Sequence, residues 1–262
     1  MTDHRFFAPL SRRLLMFLSA MCLLIAVAGC LHSPWEWRQA QTHMKLGVAF
    51  LEAKQYHAAL KELLVAEELY PQDPKLHYYL GIAYHGKGLP EKAIEQFCAT
   101  LALDPNYAEA SNFLGAVYLE MGRRDEAIAS FEQALRNVKY DTPDLALYNI
   151  GRAWHAKGDE RRALEKYAEA LRRQPASPIA PLIEMAAGEA SLAAGEPAAA
   201  VAHLRAAISL APDEAEAYFW LGAAYRQLGK NSEAAAAYAE AIRLAPASEL
   251  ATQARGALSE LP

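Results

Sequence analysis

Covalent cross-linking is the first thing this sequence lacks. It has three cysteines in 262 residues: Cys22 inside an apolar N-terminal run, Cys30 at its end, and Cys98. Only Cys98 belongs to the remainder, so that part can form no internal disulfide. Cys98 adjoins Phe97 and reads as a small, partly buried residue, not a reactive thiol. Strand-like alternation is also missing. So is a basic excess: 26 Lys and Arg stand against 31 Asp and Glu, a net charge of −5. Without residues 1–29 the balance is 23 basic against 30 acidic, or −7. A nucleic-acid surface would need a basic stripe, so no nucleic-acid partner is expected. There is no His-Glu-x-x-His, no paired-cysteine zinc spacing, no Gly-x-Ser-x-Gly and no phosphate loop. An enzyme, a metal or a cofactor is therefore not expected.

What the chain has is a register. Gly47, Gly81, Gly115, Gly151, Gly188 and Gly222 are separated by 34, 34, 36, 37 and 34 residues. Gly88, Gly122, Gly158, Gly195 and Gly229 each follow by seven. Twelve residues after the first glycine stands Ala59, Ala93, Ala127, Ala163, Ala200 or Ala234. Pro71, Pro105, Pro175, Pro212 and Pro246 close five of the six units. Apolar residues on either side of the second glycine recur at i, i+3, i+4 and i+7, the pattern of two amphipathic helices.

Each position has a physical reason. A glycine inside a helix costs about 0.5–1 kcal/mol relative to alanine. Close approach of two antiparallel helices would compensate, with the alanine expected opposite. The second glycine ends the first helix where φ > 0 is wanted; unit one has Lys54 there instead. Pro90 and Pro197 suit the first turn of the second helix, and the closing proline stops it. One helix pair cannot bury its apolar stripe, so the pairs stack.

These residues resemble the tetratricopeptide repeat, most completely in 74–107 and 215–248. The resemblance implies an all-α solenoid, a right-handed superhelix of six repeats at 40–73, 74–107, 108–141, 144–177, 181–214 and 215–248. Residues 249–262 read as a C-terminal capping helix. Insertions at 142–143 and 178–180 interrupt the period and should change the local twist.

Residues 1–29 read as an export signal. Arg12-Arg13 precede the uncharged run Leu14–Ala28, and Val27-Ala28-Gly29-Cys30 ends it. The cysteine after small residues resembles a bacterial lipobox, which implies cleavage before Cys30 and lipidation there. The alternative is an uncleaved anchor, since Leu14–Leu31 is long enough to span a bilayer. Leu31 follows the cysteine where a retention aspartate would stand. By resemblance this implies the periplasmic face of the outer membrane; the alternative is an inner-membrane anchor. Several acyl chains would hold the protein there firmly. Residues 30–39 read as the lipidated cysteine and a tether of at most about 30 Å. Trp35 and Trp37 suit either the lipid interface or a cap on the first repeat.

The third junction runs Phe131-x-x-Ala134-Leu135, Tyr140-x-Thr142-Pro143, Leu145-Ala146-x-x-Asn149-x-Gly151. With the lipobox and the six-unit count, it resembles the PilW/PilF/Tgl tetratricopeptide lipoproteins of type IV pilus biogenesis. The family implies a pilotin, a scaffold that binds secretin subunits and supports assembly of the pilus pore. A monomer is expected in the absence of the partner. A general periplasmic adaptor for envelope assembly or polysaccharide export stays open, as does a subunit of an inner-membrane complex.

In the tetratricopeptide family the first helices line the concave face. The implied partner-binding groove is Met44, Val48, Leu51, Tyr78, Ile82, His85, Asn112, Leu119 and Tyr148. Its first half is apolar, as a binding patch would be, and suits an apolar helix or peptide. Arg152, Glu189 and Arg226 interrupt the second half. The alternative is a tighter superhelix, with these residues packed on neighbouring units. A lysine-asparagine clamp for a terminal carboxylate is absent, because the ninth position of each unit holds no asparagine.

Overall fold

A computed structural model describes residues 34–262. Residues 1–33, which include the expected export signal and Cys30, lie outside the described residues. Thirteen α-helices and no strand are found among the described residues. They form six antiparallel pairs: α1 (Pro34–Glu52) with α2 (Tyr56–Leu69), α3 (Pro74–Gly86) with α4 (Pro90–Leu103), and α5 (Ala108–Glu120) with α6 (Arg124–Leu135). Next come α7 (Pro143–Ala156) with α8 (Glu160–Arg173), α9 (Ala180–Ala193) with α10 (Pro197–Leu210), and α11 (Ala215–Gln227) with α12 (Asn231–Leu244). The last helix is α13 (Glu249–Ser259).

Local chemistry sets these ends. Pro74, Pro90, Pro143 and Pro197 stand in the first turns of their helices, where a missing N–H costs nothing. The second glycine of units two to six has φ between +69° and +77°. Lys54 takes the same turn at φ +56°. Each closing proline lies two residues past the end of a second helix. The Oδ1 atoms of Asp73 and Asp159 and the Oγ of Ser248 accept N-terminal N–H groups of α3, α8 and α13.

The first-position glycine does bring the helices of a pair together, but its neighbour is not the expected alanine. A Cβ on Gly115 would stand 2.7 Å from Cε1 of Phe131, sixteen residues on. Leu63, Phe97, Tyr167, Leu204 and Tyr238 meet the other five glycines in the same way. Those six large side chains are almost wholly buried, and so are the alanines. The space vacated by each glycine Cβ is filled by a ring or a leucine from the facing helix.

Apolar clusters then bridge successive pairs. Leu60 and Leu63 of α2 pack with Leu76 and Leu80 of α3, and Phe131 of α6 packs with Ile150 of α7. A polar ladder repeats at one-unit spacing along the stack. Gln41 donates to Asp73 at 3.0 Å, Asn137 to the Asn106 carbonyl at 2.8 Å, and Gln174 to the Asp141 carbonyl at 3.0 Å. Consecutive first helices touch one another, whereas no two second helices do. The first helices therefore line the inner side of the curve, and the second helices form its outer side. Leu258 and Leu261 cover the last apolar cluster, and Arg226 reaches Glu260 at 3.1 Å.

Two expectations need correction. The tether does not extend to residue 39, because α1 is helical from Pro34. Residues 34–39 form an overhang on which Trp35 and Trp37 stand exposed, not packed as a cap. Cys98 is exposed, not partly buried. One residue beyond the buried Phe97, the helix has turned by about 100° toward the outside.

Candidate partner-binding face

The inner face is built from three rows of side chains on the first helices. The row of Met44, Tyr78, Asn112 and Tyr148 is the deepest. Met44, Asn112 and Tyr148 are buried, which removes them from an open groove. Tyr78 is half-buried and lies among Tyr79, Phe97, Tyr107 and Phe113, with ring centroids 5.1–6.2 Å away. Burial, with the added influence of Tyr107 and Glu109, pushes the Tyr78 hydroxyl well above its ordinary range. This row faces the neighbouring first helix and serves inter-unit packing. The amide oxygen of Asn112 is buried without a donor.

The next two rows are more open. Val48, Ile82, Leu51, His85 and Leu119 are all half-buried. Ile82 also leans on the cluster of Phe97, Leu114 and Val117, and Leu51 and Leu119 lean on clusters of their own. Val48 belongs to no such cluster. His85 is tied to Glu120 of the next unit at 2.7 Å. A recess of about 110 Å³ opens between units three and four, lined by Ala116, Leu119, Glu120, Asn149 and Arg152. The sequence does not single out Glu120, and Asn149 enters only as part of the third-junction motif. The signal for Asn149 is an amide where three other units carry Tyr79, Phe113 and Trp220.

Beyond this recess the face is charged. The Arg152 guanidinium lies 5.7 Å from the ring centroid of Tyr148. His155 stands between Glu189, 3.8 Å away, and Glu160, at 2.5 Å. These carboxylates, Glu189 foremost, outweigh the opposing effect of burial and push its pKa up to about 9. Leu192 is buried and Arg226 exposed. The face thus joins an apolar strip over units one to three to a charged strip over units four and five.

Comparison with known proteins agrees with this fold. Among solved structures, PilW, described as a widely conserved type IV pilus biogenesis factor, superposes with a TM-score of 0.74 at 21% identity. That match covers 82% of this chain and 97% of PilW. PilF of Pseudomonas aeruginosa superposes with a TM-score of 0.71 at 18% identity, over 84% of this chain and 98% of its own. YrrB, described as a tetratricopeptide-repeat protein with an unusual peptide-binding site, gives 0.58 at 21% identity, over 74% and 97%. At these identities the likeness is one of fold. In sequence, the bovine BBSome complex member BBS4 is 30% identical over 211 residues, 79% of this chain and 39% of the relative. The mouse DnaJ homolog subfamily C member 3 is 23% identical over 78% of this chain and 42% of its own length. The chain thus spans less than half of each of these two relatives. The family model of the tetratricopeptide repeat matches residues 44–108, 114–178 and 185–249, and with six stacked helix pairs in that register the chain belongs to the tetratricopeptide-repeat family.

Proposed function

We propose that this chain is a lipid-anchored scaffold of type IV pilus biogenesis, a pilotin that binds secretin subunits at the outer membrane. The observation that carries the reading is the half-buried apolar strip on the first helices of units one to three. Such a surface gains by covering itself with an apolar segment of a partner. The fold likeness to PilW, described as a type IV pilus biogenesis factor, supports the pilus reading; the secretin as partner is what the sequence resemblance implies, and the lipobox-like Val27–Cys30 supports the anchor. Catalysis plays no part in this reading.

Deletion of the gene tests the function: heat-stable secretin multimers should vanish from the outer membrane on a gel. Undiminished multimers would leave the chain as an adaptor for another envelope assembly. The anchor has its own test. Cys30→Ala should abolish acylation and leave the precursor uncleaved or mislocalised. An unmodified Cys30 in the mature wild-type protein, seen by mass spectrometry, would remove the lipoprotein and favour an inner-membrane anchor.

A further inference from the structure

The first helix is longer than the repeat requires. α1 has 19 residues, whereas the other first helices have 13 or 14. The excess lies at its N-terminal end, since α1 starts 13 residues before Gly47 while α3 and α5 start seven before Gly81 and Gly115. α1 buries no residue before Ala40. Tryptophan is a highly buried residue on average, yet this overhang holds Trp35 at 57% exposure and Trp37 at 48%. The other two tryptophans of the chain, Trp154 and Trp220, pack against core clusters.

Their placement on the helix matters. Two residues apart means a rotation of about 200°, so Trp35 and Trp37 leave α1 on opposite sides. A helix lying flat on a surface would bring one ring down and lift the other away. A helix entering a surface end-on carries both at nearly one depth, since their Cα atoms differ by only about 3 Å along the axis.

The preceding chain says what that surface is. Cys30 stands five residues before Trp35, a span of at most about 18 Å. Acyl chains on Cys30 and an uncleaved apolar run ending at Leu31 would each hold this point at a bilayer. Tryptophan is enriched at the membrane–water interface, where the ring meets lipid and its N–H meets water. The overhang carries one acid and one base, Glu36 and Arg38, so no net charge opposes entry.

We propose that the first turns of α1 enter the membrane interface end-on, with Trp35 and Trp37 as an aromatic collar. The inference rests on the reading of the chain as membrane-anchored and adds an orientation to it. The N-terminal end of α1 points into the headgroups, and unit one stands on the lipid. Lipid, not a protein partner, is the occupant, because either anchor delivers the overhang to it.

The test uses wild-type protein extracted from its membranes in detergent and reconstituted into phosphatidylcholine vesicles. Tryptophan emission is recorded with lipids brominated either near the headgroup or near the chain ends. Shallow bromines should quench the emission, and more strongly than deep ones. Trp35→Phe and Trp37→Phe should each remove part of that quenching and the double variant nearly all of it, with the melting temperature unchanged. Quenching lost entirely with one single variant would overturn end-on entry. Unquenched emission from protein that floats with the vesicles would overturn the collar and leave the two rings to a protein partner. Protein that does not float with them would remove the anchored reading, and the collar with it.

Discussion

Lys54 is the only non-glycine among the described residues with a positive φ, at +56°. A side chain in this left-handed region costs roughly 1–2 kcal/mol, because Cβ crowds the following carbonyl. Part of the relief is offset by the greater unfolded-state freedom of glycine. Lys54→Gly should therefore stabilise the protein by about 0.5–1 kcal/mol, read as a rise in the urea midpoint; an unchanged or lower midpoint would show that the turn is not strained. The packing glycines predict the opposite response. Gly115→Leu drives a side chain into the ring of Phe131 and should cost about 1–3 kcal/mol. Gly256, in α13, has nothing within 4 Å of where a Cβ would stand. Gly256→Ala should gain about 0.5–1 kcal/mol from helix propensity. Equal losses at both positions would contradict the packing role of the register glycine.

At the scale of elements, one join between pairs carries a titratable contact. His155 of α7 is held as a cation by Glu189 of α9 and by Glu160, and its pKa is raised from 6.5 to about 9. A group whose folded pKa lies above its unfolded value stabilises the fold fully below the unfolded pKa. That contribution declines as pH rises through the folded one. Melting temperature should thus fall between about pH 6.5 and 9, and His155→Gln should flatten that part of the profile. A wild-type profile already flat across the window would rule out the imidazolium contacts. Helix ends within a pair were legible in the sequence, because glycine and proline mark them by short-range backbone chemistry. Contacts between units were less so. The ring of Tyr56, at the start of α2, fills the space beside Gly86 at the end of α3, where a Cβ would lie 2.2 Å from Cε1. Gly86 belongs to neither glycine register, so its partner in a different unit gave no periodic signal.

At the scale of the molecule, the apolar strip and the charged strip lie end to end on the inner face. Helical spacing identifies which side chains share a row. It does not say how closely successive first helices approach, and that distance buried Met44, Asn112 and Tyr148 while leaving Val48 half-open. The solenoid was therefore readable from glycine spacing alone, whereas the usable part of the face needed the curvature. Of the apolar strip, Val48 is best suited to a test, since it belongs to no core cluster. Aspartate there should leave the fold intact while placing charge where an apolar ligand must desolvate it. The most direct measurement is capture of the secretin from detergent extract by wild-type protein and by the Val48→Asp variant, with circular dichroism and a melt as controls. The variant should keep its helicity and melting temperature but lose the secretin. Secretin captured as well by the folded variant as by wild type would contradict that prediction.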